Sequence, residues 1–235
     1  MNRRAFVLAV LLSFTAAVSL LALAACDGDD CNCPDGDSDA AGCDENELDG
    51  DGADGDGEPS DGDAEKMPRP GEVIFTEIMY DADALDDDVG EWLEVLNVGE
   101  RDLDLRNCIF SDDNPSHKAV IDQSLPVAPG GRLVFGIRRP IEIPGDVELD
   151  WMWEGFNLGN NGDMTILTCA DKLVDEVVFD VATMPYDAVK GASLSLCPGF
   201  ESATDNDSLA HWRFSVSQMT IGDFGTPGAA NDPCP

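Results

Sequence analysis

Between Asp27 and Lys66 the chain reads DGDDCNCPDGDSDAAGCDENELDGDGADGDGEPSDGDAEK, with one leucine, no aromatic and no β-branched residue in 40 positions. Such a segment has no apolar side chains whose burial could offset the entropy of ordering its backbone. It reads as a disordered acidic tether, so whatever folds must lie outside it. The charge supports that division. The chain has 235 residues, 13 Lys+Arg against 48 Asp+Glu and a formal net charge of −35, yet 43% of it is hydrophobic, a normal globular fraction. The tether carries 17 acids against one lysine, and residues 67–235 carry 31 acids against 10 cations. A charge this negative repels phosphate backbones, which excludes nucleic acid as a partner. Forty glycine-rich residues span a root-mean-square distance of about 35 Å, and self-repulsion extends them further.

Residues 1–26 have the opposite character. Arg3 and Arg4 precede an apolar run from Ala5 to Leu23, and the run closes on Leu23-Ala24-Ala25-Cys26. A basic start, a hydrophobic stretch and small residues at the end are the parts of a secretory signal peptide. The run is also just long enough to be a transmembrane helix, but Leu-Ala-Ala-Cys resembles a bacterial lipobox. That resemblance implies acylation of Cys26, cleavage before it, and attachment to a membrane through the N-terminal lipid. Two or three acyl chains make such an anchor effectively permanent. Asn2–Val7 partly matches a twin-arginine signal, whereas the strong hydrophobicity that follows favours the ordinary Sec route. The expected organisation is a lipoprotein signal peptide over 1–25, an anchored tether over 26–70 and a folded domain over 71–235.

The folded part opens after Pro68-Arg69-Pro70-Gly71. Short runs rich in β-branched and aromatic residues follow, separated by Gly, Pro, Asn and Asp. The pattern predicts strands at Val73–Tyr80, Trp92–Val98, Asn107–Phe110, Ala119–Ile121, Arg132–Ile137, Met164–Thr168, Leu173–Asp180, Ser193–Cys197 and Trp212–Val216. No stretch holds a helical apolar period over a dozen residues, so the fold class is all-β, a sandwich or barrel in one domain. Trp92–Val98 is apolar on both faces and reads as a central strand. Pro129-Gly130-Gly131 predicts a tight turn into Leu133–Phe135. Gly159–Asp163 predicts a hairpin between Phe156-Asn157-Leu158 and Met164–Thr168.

Several segments, in order, are similar to a lamin tail domain: Phe75–Tyr80, Gly90–Gly99, Leu103–Asp113, Val127–Phe135, Leu158–Asp163, Asp171–Phe179, Gly191–Leu196 and Gly225–Asn231. The resemblance covers residues 72–231. It implies an immunoglobulin-like β-sandwich whose motifs specify a fold and no active site, and whose relatives act as interaction modules.

Cys108, Cys169, Cys197 and Cys234 lie in the folded part, and an exported chain meets oxidising conditions. Four cysteines allow three connectivities. The pairing expected here is Cys197–Cys234, fastening the tail to a late strand, and Cys108–Cys169, across the sandwich. Cys31, Cys33 and Cys43 sit in the tether, with Cys31 and Cys33 too close-set for an ordinary bridge. Zinc fits poorly, since no C-x-x-C pair exists and His117 and His211 are isolated. Calcium is the one cofactor worth weighing. Asp49-Gly50-Asp51 and Asp54–Glu58 resemble fragments of an EF-hand loop, but no frame satisfies its spacing. Asp86-Asp87-Asp88 and Asp112-Asp113-Asn114 fall in loops next to strands, where clustered carboxylates could take Ca²⁺.

Catalytic signals are sparse. No G-x-S-x-G occurs, and Gly191-Ala192-Ser193-Leu194-Ser195 lacks the second glycine. His211 beside Trp212 reads as a partly exposed strand histidine. With 31 acids in the domain, a pair at glycosidase spacing carries no weight. The expectation is therefore a non-catalytic, lipid-anchored module of the bacterial cell envelope, at the outer membrane or surface rather than the inner membrane. It would present a binding or structural surface to an envelope or extracellular protein or glycan. The alternatives are a calcium-dependent binding module and, further off, a secreted hydrolase using His211.

Overall fold

A computed structural model describes residues 65–137 and 147–235. Cys26, the signal segment, Cys31, Cys33, Cys43 and the acidic tract through Ala64 lie outside the described residues.

The domain is an all-β sandwich. Twelve strands occur among the described residues: β1 (Val73–Met79), β2 (Trp92–Asn97), β3 (Leu103–Asp104), β4 (Ile109–Ser111), β5 (Lys118–Val120), β6 (Pro126–Val127), β7 (Arg132–Ile137), β8 (Trp151–Trp153), β9 (Gly162–Cys169), β10 (Lys172–Asp180), β11 (Leu194–Leu196) and β12 (Trp212–Phe214). They form a six-stranded sheet ordered β12-β11-β1-β2-β7-β8, a four-stranded sheet ordered β10-β9-β4-β5, and a small β3-β6 ribbon. All named pairs are antiparallel except β7 with β8. The described helices are short, α1 (Asp87–Gly90) and one 3₁₀ turn over Leu209–His211.

Alternation builds the core. Phe75, Ile78, Leu93, Val95, Leu133, Phe135, Leu194 and Trp212 of the large sheet join Phe110, Leu167, Val177 and Phe179 of the small one in a single buried cluster. Aromatic contacts bridge the layers, with Phe75 and Phe110 at 6.5 Å between ring centroids and Tyr80 and Phe179 at 4.9 Å. Burying each such side chain stabilises by roughly 1.5–3 kcal/mol. Lying between β1 and β7, β2 is buried at all six positions, the central strand its two apolar faces predict.

Both disulfides of the domain are formed. Cys197 and Cys234 join the residue after β11 to the C-terminal tail. Cys108 and Cys169 do not cross the sandwich, as the sequence reading has it. Ile109 pairs with Thr168, so Cys108 and Cys169 are neighbours on adjacent strands of the four-stranded sheet. Their Cα atoms are 4.3 Å apart, close to the ~4.5 Å of a non-hydrogen-bonded antiparallel pair.

Two further expectations change. Gly159–Asp163 makes no hairpin, because β9 pairs with β4 and β10, and Phe156–Leu158 is not a strand. The turn is instead a tight loop leading into β9, where a Cβ on Gly159 would lie 2.6 Å from the Gly162 carbonyl oxygen. Strands β3, β6 and β8 are also new. The first two have only two residues each, and β8 pairs in parallel with β7, so no local turn signal announces any of them.

At its N-terminal boundary the domain grips its own chain. Arg101 makes a bidentate pair with Glu72, Nη2 to Oε2 at 2.6 Å and Nε to Oε1 at 3.0 Å. It also donates to the carbonyls of Met67 and Glu65. Such fork geometry is the strongest form of carboxylate pairing.

Candidate functional site

Three loops converge at one end of the sandwich: the acidic β1–β2 connection with α1, the acidic β4–β5 loop and the β8–β9 loop, which leads into Asp163 at the start of β9. Asn160 Nδ2 donates to Asp87 Oδ2 at 2.8 Å, and the Leu158 N–H donates to Glu91 Oε2 at 2.7 Å, so the first and third loops are tied together. Asp163 accepts from the Gly159 N–H at 2.6 Å and from the Met164 N–H at 2.7 Å. In the β4–β5 loop, Asp112 accepts from the Asn114 N–H, and His117 Nδ1 lies 2.6 Å from Asp112 Oδ2. Asn114 Nδ2 lies 3.1 Å from His117 Nε2. The His117 ring stacks on Phe156 at 5.1 Å between centroids.

The electrostatics of this end centre on Glu91, which is fully buried. Burial pushes its carboxyl up to about 8 against the lowering hydrogen bond from Leu158, and the charges of Asp87, Asp163 and Asp81 push the same way as burial. Asp163 is raised by burial too, with Asp112 and Asp113 adding to the shift against its two backbone hydrogen bonds. Of the acid runs singled out in the sequence, Asp87 thus acts on Glu91, and Asp112 and Asp113 act on Asp163. Glu91 Oε1 is buried without a hydrogen-bond partner. Among the described residues no three His, Cys, Asp or Glu side chains are arranged to hold a metal ion. The side chain of Asp86 does not cap α1.

A second buried polar cluster lies on the outer face of the six-stranded sheet. A bulge between Phe75 and Glu77 shifts the β1–β2 register and lets both Thr76 and Glu77 point away from the core. Glu94 accepts from Thr76 Oγ1 at 2.6 Å and Arg132 Nη1 at 2.5 Å. The chain after β12 then crosses this face as a strap. Its Thr226 N–H and Oγ1 both donate to Glu77 at 2.8 Å, and its Gly228 N–H donates to Glu94 at 2.8 Å. Asn231 Nδ2 donates to the carbonyls of Thr76 and Leu196, and Ser193 Oγ donates to Glu77. Asp232 accepts from Ser215, Ser217 and the Val216 and Ser217 N–H groups just before the Cys197–Cys234 bond.

Burial raises Glu77 to about 7 against lowering hydrogen bonds from Ser193 and Thr226, and the nearby Glu94 adds to the rise. Burial raises Glu94 as well, opposed by Thr76 and Arg132. For Asp232 burial pushes upward, but the serine and backbone donors outweigh it and hold the carboxyl at about 2.

The remaining sequence candidates are spent on the fold. His211 closes the 3₁₀ turn before β12 rather than lying in a strand. Its Nδ1 is 2.7 Å from the Asp205 carbonyl, and its ring stacks on Phe200 at 3.9 Å. Sequence reasoning did not single out Glu77, Glu91, Glu94 or Asp175 as site residues. The available signal was an acid inside an otherwise apolar strand, as in Gly90-Glu91-Trp92-Leu93-Glu94-Val95. No family model matches the chain, and no curated protein is similar enough to count as a relative.

Proposed function

We propose that this chain is a non-catalytic lipoprotein of a bacterial envelope, with a lamin-tail-like sandwich held off the membrane by the acidic tether and presented for binding or structural contact. The observation that carries the reading is where the polar groups go. Both histidines and the buried Glu77, Glu94 and Asp175 are directed at the domain's own backbone and side chains. Such a module acts through its surface. Two disulfides suit an exported domain, and the Arg101 grip on residues 65–72 fixes how the tether's last residues meet the sheet. The partner class is an envelope or extracellular protein or glycan. Protease added to intact cells should release the domain by cutting in the tether. A domain that stays protected until the outer membrane is opened would overturn surface display.

A calcium-dependent binding module is the second reading, favoured by the unpartnered Glu91 Oε1 beside Asp87 and Asp163. Millimolar Ca²⁺ should then raise the melting temperature by several degrees over that in EDTA, and the Glu91→Gln variant should lose that rise. A flat response removes this reading.

A further inference from the structure

The two outer faces of the sandwich are treated differently. The strap seals that of the six-stranded sheet, whereas that of the four-stranded sheet is open and largely apolar. The pairing registers align its outward residues in rows. One row is Leu173, Thr168, Ile109 and Val120, and the next is Glu176, Ile166, Ser111 and Lys118. Val178 and Met164 extend the face along β10 and β9. The intervening Leu167 and Phe110 point into the core. Val120 is 54% exposed, Val178 50% and Leu173 45%, so three large apolar side chains stand in solvent on this one face.

The charges on this face are placed symmetrically. Glu176 stands on one edge strand and Lys118 on the other, in the same row and on opposite sides of the midline between β9 and β4. Neither forms an ion pair among the described residues. A two-fold axis along the strands at that midline brings Glu176 of one copy over Lys118 of a second, twice. The same rotation sets Leu173 against Val120, Thr168 against Ile109, and the bulky Ile166 against the recessed Ser111. Self-complementarity about a two-fold is the defining property of an isologous interface.

We infer that the outer face of the four-stranded sheet is a homodimer surface, formed by Leu173, Ile166, Ile109 and Val120 and registered by two Glu176–Lys118 pairs. Four strands about 4.8 Å apart, with two to three outward rows, give a face of only a few hundred Å², well under the ~800 Å² per partner of a standard interface. Association is therefore of the low-affinity kind, populated where copies are crowded. The inference goes beyond the anchored-module reading and does not depend on it.

The test uses the full chain in detergent micelles, as an equal mixture of ¹⁴N- and ¹⁵N-labelled protein. Three strand spacings put Glu176 and Lys118 about 14 Å apart within one copy, so a zero-length carbodiimide cross-link between them must join two chains. Mixed-isotope Lys118–Glu176 cross-linked peptides are expected. In sedimentation equilibrium, Lys118→Glu and Glu176→Lys should each lower the association constant at least tenfold, and the double exchange should return it to within threefold of native. Lys190→Glu, which makes the same charge change elsewhere, should leave it unaltered. A chain monomeric to 100 µM without the mixed cross-link, singles that associate as the native chain does, or a double exchange that fails to restore association would each overturn the inference.

Discussion

The backbone N–H of Phe75 donates to Asp175 Oδ2 at 2.8 Å, joining β1 of one sheet to β10 of the other across 100 residues of sequence. Asn206 Nδ2 donates to the same oxygen at 2.8 Å and also to the Phe75 carbonyl, and Asn206 in turn accepts from Trp212 Nε1. A register shift in each strand, between Phe75 and Glu77 and between Leu173 and Asp175, coincides with this contact. One carboxylate thus meets, in the interior, donors from two other parts of the chain.

Asp175→Ala is expected to destabilise the domain by about 2–4 kcal/mol, because it leaves the Phe75 N–H and the Asn206 amide unpaired in a buried place. Urea denaturation followed by tryptophan fluorescence measures it. Asp175→Asn keeps an acceptor and should cost less, and equal losses for the two variants would refute this account of the contact.

Stability should fall as pH rises from about 5 to 8. Glu77 and Asp175 are raised to about 7 and Glu91 to about 8, in each case by burial first. A raised folded pKa means that the folded state holds more protons than the unfolded one between the two values. The contribution is thus complete below the unfolded pKa and lost as pH passes through the folded one. The lowered groups, Asp232 and Glu72, act only at more acid pH, where their contribution is lost as pH falls through their folded values. The expected loss is on the order of a few kcal/mol between pH 5 and 8. Denaturation midpoints that rise across that range would contradict it.

The strap depends on its fastener. Replacing Cys234 with Ser should cost ~2–4 kcal/mol for a loop of this length. It should also speed hydrogen exchange at the amides of Thr226 and Gly228, which donate to Glu77 and Glu94, before it affects those of β2. Uniform exchange throughout the domain would show that the strap is no separate unit.

Gly225 lies against Trp92, and a Cβ there would come within 2.8 Å of Trp92 Cζ2. Gly225→Ala should therefore destabilise by about 1–3 kcal/mol through overpacking and alter the near-ultraviolet dichroism of the tryptophans. An unperturbed spectrum with native stability would mean that the strap yields freely.

Arg101→Ala should release the N-terminal boundary without unfolding the sandwich. Tryptic cleavage after Lys66 is expected to quicken about tenfold, equivalent to ~1.4 kcal/mol of local opening. No change would show that the contacts to Glu72 and the Met67 carbonyl are dispensable.

Much of the sandwich is legible in the sequence because its information is local. Alternation in Val73–Met79 and Arg132–Ile137, and two apolar faces in Trp92–Asn97, fix strands and their depth. What is not legible depends on distant chain. Glu77 and Glu94 look like solvated acids until a strap some 130–150 residues downstream covers them. Cys108 and Cys169 are adjacent only through the register of β4 on β9, and Glu176 and Lys118 share a row only through three strand pairings. The acid runs Asp86–Asp88 and Asp112–Asp113 are visible as loops, but nothing local reveals that Asp87 acts on Glu91 or that Asp112 and Asp113 act on Asp163.

The anchored-module account rests most heavily on Cys26. Metabolic labelling with [³H]palmitate should mark the native protein, and Cys26→Ala should abolish the label and leave the precursor uncleaved. Labelling that persists in that variant, or a native protein that takes up no label, would contradict the account.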